Sequence, residues 1–285
     1  MAHAGVILVC RSGPRWRLVE CHRRASPEVR HDCYGLVWWS APVSVDRRLQ
    51  LWSLMVERAD GAAIAVDHAG AVAVAVAGVD TVAVVVTLAA SPRESVYTSS
   101  ALGADLEDLT TTLGEGPGVD ALCDGPALAA DLREAWCLAR WPMFAPAAVD
   151  LGVYAAFALP LQVGGIRLGA MDLYRVRPGA LDHDHLADAL LLADTACALL
   201  LDGPGSIAGK RPEEASLQHP EVHQATGMIV AQLGVTAAVA LIRLRAYAYA
   251  HDERLRDVAA NVVARRIRFD AGPVSNAANE DDEGE

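Results

Sequence analysis

No two of the six cysteines in this chain of 285 residues stand in a C-x-x-C spacing. Scattered thiols of that kind point to a reducing compartment rather than to a disulfide framework or a zinc ribbon. No run of about 20 residues is apolar and uncharged enough to cross a bilayer. The most apolar region, residues 69–90, is broken by Gly70, Gly78, Asp80 and Thr81. The Val6–Cys10 run is too short for the apolar part of a secretion signal, and no basic residue precedes it. The expected location is the cytoplasm, with no membrane partner. Catalytic sets are missing too: Ser91 and Ser95 stand outside any nucleophile elbow, and the histidines are dispersed. The run Gly114-Glu115-Gly116-Pro117-Gly118 matches neither G-x-G-x-x-G nor a P-loop with its lysine, and reads as a turn. No catalytic residue and no cofactor is expected.

Candidate metal ligands fail on spacing. Cys10, Cys21, His22, His31 and Cys33 follow no known ligand rhythm. Asp182, His183, Asp184 and His185 are adjacent, and residues one or two apart on a helix face different directions. Aspartates at a helix start suit the macrodipole without any ion.

What the chain has is apolar mass and an uneven charge. With 53% hydrophobic and 21% charged residues it can build a core, and its length suggests two domains. The net charge of −12 argues against a nonspecific DNA coat. Much of that excess falls in residues 270–285, expected to be a disordered acidic tail with Asp270, Glu280, Asp281, Asp282, Glu283 and Glu285. Residues 1–44 mix Arg11, Arg15, Arg17, Arg23, Arg24 and Arg30 with Trp16, Trp38 and Trp39 without periodicity. They read as a poorly ordered extension, with a nucleic-acid arm as the sharper alternative.

Residues 45–202 show an order of elements typical of an α+β domain with an antiparallel sheet. Leu49, Trp52, Met55 and Val56 recur at helical spacing, and a second, alanine-rich helix is expected over 61–76. The β-branched run 79–86 reads as a central strand, with 95–100 as its hairpin partner. A helix is expected over 104–113, a short strand over 126–131, and a helix opening at Arg140-Trp141-Pro142. Apolar runs 153–163 and 166–176 meet at Gly164-Gly165, a two-residue hairpin signal. A long helix over 181–201 carries Leu186, Leu190, Ala193, Cys197 and Leu200 on one stripe. Trp136, Trp141 and Phe144, beside Cys123 and Cys137, line either a small-molecule pocket or ordinary core.

Residues 203–215 hold several helix breakers and are expected to be a flexible linker. From 216 to 269 three short amphipathic helices are expected, separated at Gly234 and at His251-Asp252-Glu253. Their inward faces are Val222, Ala225, Ile229 and Leu233; Val239, Ala240, Leu244 and Ala248; and Leu255, Val258, Ala259, Val262 and Val263. Seven arginines stand there against four carboxylates, which fits recognition of phosphates by guanidinium groups.

The A-T-G-M-I run at Ala225, the L-R-A-Y-A-Y-A run at Leu244 and the L-x-D-V-A ending at Ala259 together resemble the ANTAR domain. That resemblance implies a three-helix module that binds stem-loop RNA in bacterial transcription antitermination. Gly114-Glu115-Gly116-Pro117-Gly118-Val119-Asp120-Ala121, R-W-P-M-F at Arg140, A-L-P-L at Ala158 and R-L-G-A-M-D-L-Y-R at Arg167 are similar to GAF domains. This second likeness implies a small-molecule sensor and dimerisation module, and it departs from the family at Gly118, where cysteine is frequent.

For the RNA contact the chemistry nominates Arg243, Arg245, Arg265 and Arg266 for charge and Tyr247 for stacking. Gln224 and Thr226 are nominated for polar contacts, and Gly227 for close approach of the RNA backbone, with close packing against the third helix as the other cause of a helix-interior glycine. The long apolar helix implies a homodimer carrying two such modules. Two other readings remain open: a helix-turn-helix DNA-binding factor, and a redox sensor using Cys123 and Cys137 without nucleic acid.

Overall fold

The computed structural model describes residues 45–87, 93–202 and 220–269, together with the backbone of 6–10 and 16–20. The expected linker, the acidic tail and most of the N-terminal extension, with Cys21, His22, His31 and Cys33 of its candidate metal ligands, lie outside the described residues. Two compact units divide at Gln218 and His219. Where the sequence suggested no element, β1 (Val6–Cys10) and β2 (Trp16–Glu20) pair antiparallel, with Val6 opposite Glu20 and Cys10 opposite Trp16.

Two helices, α1 (Val45–Ala59) and α2 (Val66–Val76), precede the main sheet. Its strands are β3 (Thr81–Val86), β4 (Glu94–Thr98), β5 (Ala127–Ala129), β6 (Ala155–Val163) and β7 (Ile166–Arg175). They lie in the order β4-β3-β7-β6-β5, and every neighbouring pair is antiparallel. The β-branched run of β3 is buried throughout, as an internal strand covered on both faces requires. Val163 pairs with Ile166 across the Gly164-Gly165 turn, and Gly164 has φ +59°, as a tight hairpin demands.

Helices cover both faces of the sheet. On one side α1, α2 and α7 (His183–Asp202) bury Leu51, Met55, Val72, Leu192 and Ala196 against Val84, Phe157, Met171 and Leu173. On the other lie α3 (Ala101–Leu113), α5 (Ala135–Arg140) and α6 (Phe144–Asp150), burying Leu106, Trp141 and Phe144 with Ala156 and Tyr174. A further short helix, α4 (Pro117–Cys123), packs on β6 and β7. Alternation along β7 sends Met171 and Leu173 to the first face and Asp172 and Tyr174 to the second.

Several expectations shift. Arg140-Trp141-Pro142 does not open a helix: Arg140 ends α5, and Trp141, Pro142 and Met143 separate it from α6. The run Gly114–Gly118 stops α3, with Gly114 in the left-handed region at φ +70°, but its Gly116-Pro117-Gly118 part also starts α4. Pro117 occupies the first turn of α4, where its fixed φ suits a helix and its missing N–H is not needed. In α1 the periodic set splits: Met55 is buried, while Leu49, Trp52 and Val56 are exposed. Leu51, Met55 and Ala59 form its buried side instead. The apolar stripe of α7 is buried inside its own unit at Leu186, Ala193, Cys197 and Leu200, with Leu190 half-buried against the same core.

The second unit is α8 (Pro220–Leu233), α9 (Ala237–Ala250) and α10 (Leu255–Val263). Gly234, at φ +65°, ends α8, and the Thr236 hydroxyl accepts a hydrogen bond from the Val239 N–H to start α9. Val222, Ala225, Ile229, Ala240, Leu244, Ala248, Leu255, Val258, Ala259 and Val262 form its core. Val239, expected inside, is exposed together with Ile242 and Tyr249, because α9 is apolar on more than one side and its neighbours bury the Ala240–Leu244–Ala248 face, with Leu241 and Tyr247 half-buried at its edge. Among the described residues no single helix is long and apolar enough to cross a membrane.

Candidate nucleic-acid interface

Two features of the three-helix unit run against local backbone preference. Gly227 lies in the interior of α8, where glycine costs about 1 kcal/mol relative to alanine. A Cβ built there meets nothing within 4 Å, so no packing contact in this unit demands its absence. Arg265 is the second case: it takes φ +59° just past Ala264, the C-cap of α10, a conformation that glycine adopts far more readily. The Arg265 N–H donates to the Val262 carbonyl at 2.9 Å and the Arg266 N–H to the Asn261 carbonyl at 2.8 Å, closing the helix end.

The arginine-bearing segment after α10 is held at its far side as well. The Phe269 N–H donates to Gln232 Oε1 of α8 at 3.0 Å, and the Phe269 ring meets Tyr247 of α9 edge-on at 5.5 Å. Arg265, Arg266 and Arg268 therefore project from a short segment anchored to both other helices, and all three are exposed. Arg243 is exposed and Arg245 half-buried on α9, and Gln224 is exposed on α8.

Two nominated residues sit differently. Thr226 is buried, and its hydroxyl donates to the Val222 carbonyl at 2.7 Å, so it serves its own helix. One face of Tyr247 is covered by His251, stacked at 3.9 Å. Tyr249, 54% exposed, is the more accessible ring of α9, and sequence periodicity gave no sign of it because α9 is apolar nearly all round.

The sheet domain holds a different feature that spacing could not show. Arg93, 7% exposed, donates from Nη2 to Asp172 Oδ2 at 2.6 Å and to Glu107 Oε2 at 3.1 Å. The Tyr174 hydroxyl donates to Glu107 Oε1 at 3.2 Å. Burial works against the charge on Arg93, but Glu107 and Asp172 outweigh it and raise its pKa. Burial pushes Glu107 up to about 8, with Arg93 opposing and Asp172 adding to the rise. Gly118 lies on this cluster: a Cβ there would stand 2.4 Å from Asp172 Oδ2 and 2.5 Å from Arg93 Nη1. Cysteine, frequent at this position in the GAF resemblance, does not fit over the pair.

A pH dependence follows from Glu107. Its folded pKa lies above the unfolded value, so the folded state binds the extra proton. The associated stability is full below about pH 4.5 and is lost as pH rises through about 8. Glu107→Gln is expected to flatten the fall of the urea midpoint over that interval. A variant with the parent's slope would assign the dependence to other groups.

The remaining loop residues are structural. Glu115 Oε1 accepts from the Met143 and Phe144 N–H groups at 2.6 and 2.7 Å, which caps α6 and fixes the glycine-rich turn. Trp141 and Phe144 are buried in the core, while Trp136 is 46% exposed and meets Trp141 edge-on at 5.6 Å. Burial pushes the Cys137 thiol up to about 12, which leaves it protonated at neutral pH and weakens the redox alternative. Asp182 Oδ1 accepts from the His185 N–H at 2.9 Å, a helix-start arrangement that uses the aspartate without an ion.

Comparison with known proteins places the second unit. A family model of the ANTAR domain matches residues 212–263, so the chain carries an ANTAR domain there. No curated protein matches the chain. Among solved structures, a domain of a two-component sensor histidine kinase protein from Sinorhizobium meliloti 1021 is similar at 16% identity, covering 47% of this chain and 87% of that one, with a TM-score of 0.40. The GAF domain of a phosphoenolpyruvate-protein phosphotransferase from Coxiella burnetii is similar at 14% identity, covering 53% and 90%, also with a TM-score of 0.40. At these values no residue role passes from them to this chain.

Proposed function

We propose, from the ANTAR domain at residues 212–263, that this protein binds stem-loop RNA through its three-helix unit and regulates transcription by antitermination. The observation that carries the reading is Gly227, a helix-interior glycine on open surface that nothing within the unit requires. Gln224 and Gly227 on α8, Arg243 and Arg245 on α9, and Arg265 and Arg266 after α10 supply polar contact, close approach and charge. Tyr249 joins Tyr247 as a stacking surface. Replacing Arg265 and Arg266 together by alanine is expected to weaken RNA binding about tenfold at low salt. It should also lower the slope of log K against log salt by roughly one to two. A folded double variant with the parent's affinity and slope counts against this face. Duplex DNA of matched length, bound as tightly as the stem-loop, would favour the helix-turn-helix alternative instead.

The N-terminal unit is read as the sensory partner, with a small molecule as its effector and a homodimer as its working state. Support for the dimer comes from α1. Val45, Leu49, Trp52 and Val56 form one exposed apolar stripe, Val45 being 72% exposed. An antiparallel pairing of two such helices brings Asp46 toward Arg58 and Arg48 toward Glu57 of the second copy, whereas a parallel pairing sets like charges together. Trp52→Glu is expected to sediment as a folded monomer and to lose the avidity of the parent for paired stem-loops. A parent that is monomeric both alone and on RNA overturns the dimer.

A further inference from the structure

The outer side of α9 is apolar where a solvated helix is usually polar. Ile242 is 61% exposed, Tyr249 54% and Val239 39%, with Ala246 exposed between them. At about 100° per residue these four positions fall within one arc of the helix. Helices α8 and α10 pack on the opposite side, where Ala240, Leu244 and Ala248 are buried. The stripe therefore faces away from both neighbours and contributes nothing to the core of the unit. Single apolar residues on a surface need no account, but a contiguous stripe marks a contact.

Charge decides what that contact takes. Helix α9 holds Arg243 and Arg245 and no carboxylate. The same spacing puts them on opposite flanks of the stripe, Arg243 one turn after Val239 and Arg245 one turn before Tyr249. A second copy of α9 laid on this face, parallel or antiparallel, sets arginine against arginine with nothing to compensate. The arrangement suits a ligand with flat apolar faces and anionic edges, which is what an unpaired stretch of nucleic acid presents. From Val239 to Tyr249 the helix rises about 15 Å. A stacked strand advancing about 3.4 Å per nucleotide covers that length with about four bases.

We infer that the outer face of α9 receives unpaired RNA bases, with Ile242 and Tyr249 as the stacking surface and Arg243 and Arg245 on the flanking phosphates. This rests on the reading of the three-helix unit as RNA-binding. Bases paired inside a stem keep their faces against one another, whereas loop bases can lay theirs on a side chain. Selection of a loop over a closed stem then lies on α9, while Arg265 and Arg266 grip phosphates in either. Ile242 becomes a specificity residue that neither the charge pattern nor the core pattern nominated.

The experiment titrates the full chain with a stem-loop RNA and with the same stem closed as a blunt RNA duplex. Ile242→Ser and Tyr249→Ser are each expected to weaken stem-loop binding about tenfold. Duplex affinity and the slope of log K against log salt should stay those of the parent, because no charge is lost. Tyr249→Phe keeps the ring and should bind as the parent does. A 4-thiouridine in the loop is expected to photo-cross-link to α9, and one in the middle of the stem is not. Equal losses on stem-loop and duplex would trace to the fold of the unit and overturn the inference. Parent-like stem-loop binding by both serine variants overturns it and leaves the RNA reading intact; a fall in sedimenting mass of Ile242→Ser in that case assigns the stripe to a protein contact. A parent that binds neither RNA overturns the RNA reading, and the inference with it.

Discussion

Arg93→Ala is expected to destabilise the sheet domain by about 3–5 kcal/mol, the range for removing one partner from a buried ion pair. The guanidinium is the cation that Glu107 and Asp172 both face, and those carboxyl groups are themselves buried. Without it, Asp172 is left in a low-dielectric site with no compensating charge, and it cannot recover water without opening the contact with Gly118. Arg93→Met combined with Glu107→Gln and Asp172→Asn should recover most of the loss, because neutral groups of similar size do not carry the desolvation penalty. Urea unfolding followed by the fluorescence of the buried Trp141 would measure both. A single variant within about 0.5 kcal/mol of the parent, the usual range for surface changes, would mean that the charges do not face one another.

Gly227→Ala is expected to separate stability from binding. Alanine at an exposed helix position raises stability by about 0.4–1 kcal/mol, chiefly by restricting the unfolded chain. The open surface at Gly227 leaves that gain unopposed. RNA affinity should fall by about tenfold or more, equivalent to roughly 1.4 kcal/mol, if the phosphodiester backbone lies against the bare helix. Circular dichroism melting and a stem-loop titration on the same preparation give both numbers. An alanine variant that is more stable and binds as the parent does would remove Gly227 from the contact surface. A variant that is less stable would show that the glycine serves the fold.

Much of this architecture was legible locally. The Gly164-Gly165 hairpin, the β-branched run of β3, Thr236 at the start of α9 and Gly234 at the end of α8 each depend on the conformational range of one or two residues, which sequence states directly. The charge imbalance of residues 220–269 was equally plain, and with it the candidate arginines.

Other features were decided only when distant segments met. Helices α4 and α5, of 7 and 6 residues, are too short for an apolar period to repeat often enough to be read, and the Gly-Pro-Gly run at the start of α4 reads as a stop until Pro117 is seen at its first turn. Which apolar stripe of α1 is buried depends on α2 and α7 covering one side, since the spacing of Val45, Leu49, Trp52 and Val56 suits a core as well as a surface. Arg93 and Asp172, 79 residues apart, carry no local mark of their pairing. Periodicity reports which way a side chain points from its own backbone. What it then meets is set by tertiary contacts, and that is why only the structure could show a buried ion pair beneath Gly118 and nothing at all beside Gly227.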